Sequence, residues 1–190
     1  MGYAVFAAGW ALFFGTHLFS AFRARGEGDL PSRMGAGAYK GLYSLISLAG
    51  LAGLIYGYAQ IRPDAPVFYE PPVFVRHIVL ALMPIALILL AAAYAPAGHI
   101  RKLTRHPMLA GIKLWAFAHV CANGDLASLL LFGSFLAYGV IDRIAQKRRP
   151  QPEISPKLLG DGIAVVAGLI AFGAIAHGLH PHLFGVSVLP

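Results

Sequence analysis

A chain of 190 residues that is 58% hydrophobic and only 12% charged lacks the polar side chains to wrap a soluble core, for which about 25% charged is ordinary. The bilayer must serve as its solvent, so the expected fold is all-α: one integral membrane domain, 1–190, built as a polytopic bundle of about six transmembrane helices. Its net charge of +7 falls in short loops between apolar runs and reads as a topology signal, excluding a nucleic-acid groove. The single cysteine, Cys121, excludes a disulfide framework and reads as a small buried hydrophobe.

In chain order, the apolar runs predict helices over 3–22, 38–60, 74–95, 107–122, 126–141 and 159–177. The first run is retained rather than cleaved, because its basic flank follows the apolar stretch instead of preceding it. Pro84 lies inside the third helix and predicts a kink that frees the carbonyl of Leu80. The turn "ANGD" at 122–125 divides a long apolar run into a helical hairpin. Pro107 suits the first position of its first limb, and Asp125 can cap the second. At about 1.5 Å per residue each limb is about 24 Å long, short for a hydrocarbon core of about 30 Å. Residues 142–158, with "QKRRPQPEISPK", form the expected cytoplasmic linker.

Lysine and arginine alternate between the two sides. Arg23, Arg25, Arg33 and Lys40 follow the first helix; Arg101, Lys102 and Arg105 follow the third; Arg143, Lys147, Arg148, Arg149 and Lys157 follow the fifth. The intervening loops hold only Arg62 and Arg76. The positive-inside rule therefore places both termini in the periplasm and Arg105–His106 at the cytoplasmic mouth of the fourth helix.

Ionisable residues at membrane depth are costly and are functional candidates, and three histidines qualify: His17, His77 and His119. Within "WALFFGTHLF", Trp10, Phe13 and Phe14 share the helix face of His17; Ile112 and Trp115 share that of His119. The plainer expectation is a neutral imidazole bonded to a carbonyl on a neighbouring helix, with the rings as packing. Two such histidines on aromatic faces favour a planar cofactor instead, and neutral imidazole is a common axial ligand of haem. His106 and His119 cannot share it, since thirteen residues of helix separate them by about 20 Å. His17 with His119 is the leading pair, offset in depth by about 10 Å before tilt, and His77 with His119 is the rival. The tail "AHGLHPHLFG" reads as an interfacial polar segment rather than a zinc site. Lys113 is expected to snorkel to the cytoplasmic surface, and Arg101, Lys102 and Arg105 to set topology or to hold an anionic group such as the haem propionates.

The stretch "TRHPMLAGIKLWAFAHVCANGDLASLLLFGSF", with "FFGTHLFSAFR" and "GAYKGLYSLISL", resembles the NnrU family of bacterial membrane proteins over about residues 1–145. That resemblance implies a multi-pass protein of the bacterial inner membrane linked to denitrification and nitric oxide metabolism. The family is similar in turn to the zeta-carotene isomerases, membrane proteins carrying haem b that isomerise a cis double bond of a carotenoid once the iron is reduced. Their ligand histidines match His17 and the His119 of "WAFAH", while the cysteine of the isomerase motif falls on Ala116 here. Haem b therefore transfers more readily than isomerase activity, and an apolar polyene or nitric oxide is the implied partner.

"RHPMLAG", Arg105 to Gly111, also resembles the RHPxYxG motif of the isoprenylcysteine carboxyl methyltransferases, which implies S-adenosylmethionine as an alternative cofactor held by Arg105 and His106. Leu109 stands where that motif has an aromatic, and residues 142–158 lack its Arg–Tyr and Glu segment. The candidate site is thus His17 and His119 as haem ligands, with Trp115, Arg105 and His106 as cofactor contacts. A cofactor-free assembly protein is the remaining alternative.

Overall fold

The computed structural model describes residues 1–23, 26 and 28–188; Arg25, part of the first basic loop, lies outside them. The described residues form α1 (Gly2–Phe22), α2 (Leu30–Met34), α3 (Ala36–Ile61), α4 (Val73–Tyr94), α5 (His99–Thr104), α6 (Pro107–Ala122), α7 (Leu126–Lys147), α8 (Leu158–Ala174) and α9 (His180–Phe184). A wider π turn, Ile175–Leu179, joins the last two. Among the described residues the only β pairing is an isolated bridge between Val67 and Asp125. The all-α membrane bundle is as expected: five helical stretches are long and apolar enough to cross a bilayer, and α6 is the short sixth. Large apolar side chains such as Leu45, Leu48 and Ile170 stay about two-thirds exposed, at 68%, 64% and 67%, which is tolerable only where lipid covers them.

One expected boundary is corrected. The fifth helix runs to Lys147 instead of ending at 141, so it has 22 residues and a length of about 33 Å, enough to span. The polarity of Asp142 and Gln146 makes them look like linker. They continue the helix instead, with Gln146 Nε2 donating to Asp142 Oδ1 across one turn at 3.2 Å. Only α6, at 16 residues, is a short limb. Helix α4 passes unbroken through Pro84.

Small residues set how the helices approach, as lipid offers no hydrophobic drive between them. On α1 and α3, a Cβ added to Gly9 would lie 2.5 Å from the Leu54 nitrogen, and one on Gly50 would lie 2.5 Å from the Phe13 nitrogen. Gly168 of α8 meets the backbone of Ile88 on α4 in the same way. The result is two groups, α1 with α3 and α4 between α6 and α8; α7 joins them by packing along α6 and touching α1 and α3.

Each end of the bundle is tied by loops. At one end the 65–72 segment is strapped over the α6–α7 turn: Phe68 N donates to Gly124 O at 2.8 Å, Leu126 N to Pro66 O at 2.9 Å, and the Tyr69 hydroxyl to the carbonyls of Val120 and Asn123. At the other end, Asp161 of α8 accepts from the His99 and Ile100 amides at 2.8 and 2.9 Å, capping α5 from a distance in sequence. The Arg149 guanidinium donates there to Ala21 O. The basic loops all gather at this second end.

Candidate functional site: two imidazoles on one aromatic stripe

His17 and His119 are held alike. On α1, His17 Nδ1 pairs with the Phe13 carbonyl at 2.7 Å; on α6, His119 Nδ1 pairs with the Trp115 carbonyl at 2.9 Å. Each bond runs four residues back on the same helix, rather than to a neighbouring helix as the plainer expectation required. An N–H at Nδ1 spent on a carbonyl fixes the tautomer and leaves the Nε2 lone pair outward, as in metal-ligating histidines. No hydrogen bond to either Nε2 is found among the described residues.

The rings around them form one continuous set. His17 stacks on Phe13 with centroids 4.1 Å apart, and meets Tyr43 of α3 at 5.3 Å and Tyr138 of α7 edge-on at 5.5 Å. His119 lies 4.6 Å from Phe132 of α7 and 5.1 Å from Trp115. Between these positions on α7 stands Phe135, whose ring contacts Phe13 and Phe14 at 5.5 and 5.1 Å and Trp115 at 5.4 Å. Phe132, Phe135 and Tyr138 recur every three residues and make a stripe, with His119 at the end nearer the α6–α7 turn and His17 at the end nearer the basic loops. Six residues of α7 separate those ends, about 9 Å, close to the depth offset expected from the helices alone. The backbones of α1 and α6 do not approach closely, and this stripe links the two imidazoles.

Other expected residues fall elsewhere. His77 is exposed near the start of α4, with no ring contact among the described residues. Arg105 and His106 lie at the far end of α6 from His119; Arg105 is exposed and donates to Pro152 O at 3.3 Å. His106 instead borders a separate cavity of about 590 Å³ with Arg23, Gln146, Arg149 and Gln151. Burial, with the Arg143 guanidinium nearby, pushes its imidazole below the ordinary value. Lys113 lays its stem across Gly139 of α7, and His180 Nδ1 pairs with Val186 O at 2.8 Å. The described histidines, cysteine and acids form no group of three or more placed to hold a metal ion.

Sequence reasoning missed Asp142, which is only 7% exposed and accepts from the Tyr138 hydroxyl at 3.3 Å. It places a carboxylate one ring away from His17. Its spacing of four from Tyr138 was the available signal, hidden by its position among the linker charges. The cross-helix bonds Trp10 Nε1 to Ser134 Oγ, 2.8 Å, and Tyr58 with Ser128, 2.9 Å, were likewise unforeseen; they fix α1 and α3 against α7.

The family model described as NnrU protein matches residues 5–188, a longer stretch than the motifs alone cover. No curated protein matches the chain. No solved structure matches it either. With nearly the whole bundle inside one family model, the chain belongs to the NnrU family.

Proposed function

We propose that this is a haem b-binding protein of the bacterial inner membrane, in which His17 and His119 would hold the iron. The observation that carries it is the matched presentation of the two imidazoles, each with Nδ1 bonded to its own helix at i−4 and each against the same α7 stripe. The residues fit the group: the walls are Phe13, Trp115, Phe132 and Phe135, and flat apolar rings suit a macrocycle. Trp115 orients His119 through its carbonyl and its indole. Asp142 holds the Tyr138 hydroxyl and leaves its ring facing His17. Phe135, which links the two aromatic sets, is the side chain that has to form the cofactor's edge or turn aside for it.

Bound there, haem would supply a redox-active iron, chemistry that suits nitric oxide-linked reactions or redox-gated isomerisation of a polyene. At position 116, where the isomerase motif has its cysteine, a fully buried alanine offers no thiolate. The basic end faces the cytoplasm and both termini face the periplasm in this proposal. The methyltransferase alternative is disfavoured by charge, since S-adenosylmethionine is cationic at sulfur and the cavity beside His106 is bordered by Arg23 and Arg149.

The test is the absorption spectrum of protein purified from haem-supplemented cells, before and after dithionite. A Soret band of low-spin haem with sharpened reduced bands is expected; a colourless preparation would overturn the proposal.

A further inference from the structure

The cavity at the basic end is separate from the aromatic stripe. We propose that it binds a phosphate-bearing ligand through Arg149, Arg23 and His106. Its polar lining is two guanidiniums and one imidazole, with Gln146 and Gln151, whose amide nitrogens already donate to Asp142 and to the Gln146 and Arg149 carbonyls, and with no carboxylate among the described lining residues. Donors in that combination match phosphate oxygens and would leave a cationic ligand unpaired. At about 590 Å³ the space exceeds a bare ion and lies in the usual range for a small organic ligand, about 300–1,000 Å³.

The donors are set in place beforehand. Arg149 has one guanidinium nitrogen on Ala21 O and another on Gln146 Oε1 at 3.0 Å, which fixes its plane. Arg23 is paired with Asp29 at 2.9 Å and lies over the Tyr39 ring at 5.0 Å. His106 is turned inward by an unusual corner. Arg105 has φ +62°, the one positive φ outside glycine among the described residues, and His106 N donates to Thr104 O at 2.7 Å across it. That is a γ-turn of the strained hand, the kind of outlier that concentrates at ligand sites. His106 Nε2 is buried with no hydrogen-bond partner among the described residues, although Gln151 lies beside the ring, and an imidazole nitrogen so placed lacks what a ligand oxygen would give it. Pro150 and Pro152 stiffen the lip.

The phosphate can belong to an anionic lipid headgroup, because basic recesses at the cytoplasmic ends of membrane helices suit headgroups, or to a soluble phosphate ester. Both sources are separable with the full-length protein. In nanodiscs, retention of phosphatidylglycerol over phosphatidylcholine is read by native mass spectrometry; binding of glycerol 3-phosphate is read by calorimetry in phosphatidylcholine discs. Preference in the lipid arm alone assigns a headgroup, binding in the soluble arm alone assigns an ester, and binding in both assigns the phosphate group itself. Arg149→Gln and Gln151→Glu are each expected to weaken the bound probe about five- to tenfold, the effect of about one charge near such a surface. Gln151→Glu adds a negative charge at an exposed position outside any helix and gives up the amide bonds to the Gln146 and Arg149 carbonyls, while Arg149→Gln removes the bond to Ala21; the charge is the change common to both. No preference in either arm, or wild-type binding by both variants, would overturn the proposal.

Discussion

Gly9→Ala is the sharpest test of how the first two long helices meet. The added Cβ would lie 2.5 Å from Leu54 N, 2.6 Å from Gly53 C and 2.9 Å from Gly50 O. All three are backbone atoms, so no side chain can rotate away. Ordinary carbon contacts sit at about 3.5–4.0 Å, so α1 and α3 must part by about 1 Å. Overpacking of that kind costs about 1–3 kcal/mol, of which the better helix propensity of alanine offsets about 0.5–1 kcal/mol. A net loss of about 1–2 kcal/mol lowers the melting temperature by a few degrees, at about 2–4 °C per kcal/mol for a chain this long. Gly15 on the same helix has nothing within 4 Å of its added Cβ, so Gly15→Ala should be neutral or slightly stabilising. The assay is thermal loss of the monodisperse species in detergent. Equal shifts for the two variants, or an unshifted Gly9→Ala, would refute close backbone approach as the basis of this pairing.

Three further outcomes are expected. Asp125 accepts from Ser128 N at 2.8 Å at the start of α7, so Asp125→Ala should cost about 1 kcal/mol by the same thermal assay; no loss would mean the cap is idle. Tyr69→Phe removes the bond to the last turn of α6 and should raise amide exchange around residues 120–126 while sparing α8; unchanged exchange there would show that the strap does not hold the turn. The Ser32 amide bond, with the Arg23 guanidinium beside it, holds the Asp29 carboxyl below its usual range. Its contribution to the α2 corner is therefore present above the unfolded value of about 3.9 and lost as pH falls through the lower folded one. A carboxyl titration by NMR with a midpoint at or above about 3.9 would contradict it.

The membrane class, the helix order and the hairpin were legible because apolar runs, Pro107 and Asp125 act locally. Seams such as Gly9 against Gly50 and Gly53 were not, since a glycine in an apolar run says nothing of which helix it will meet. Asp142 and Gln146 look like linker residues until the helix carries them back toward Tyr138. The short α5 owes its start to Asp161, some sixty residues later, which no local pattern could reveal. His17 and His119 stood out early because imidazoles at membrane depth are rare, yet their common support, the α7 stripe, depended on which helix lay between them. Motif likeness singles out Arg105 and His106, and the length of α6 sets them at its opposite end from His119.

The most direct test of a haem held between α1 and α6 is the spin state of single-ligand variants. His17→Ala and His119→Ala should each convert a low-spin spectrum to a high-spin one that added imidazole restores, while His77→Ala leaves it unchanged. A low-spin spectrum of wild-type intensity in both His17→Ala and His119→Ala would contradict the pairing of these two histidines across the Phe132–Tyr138 stripe.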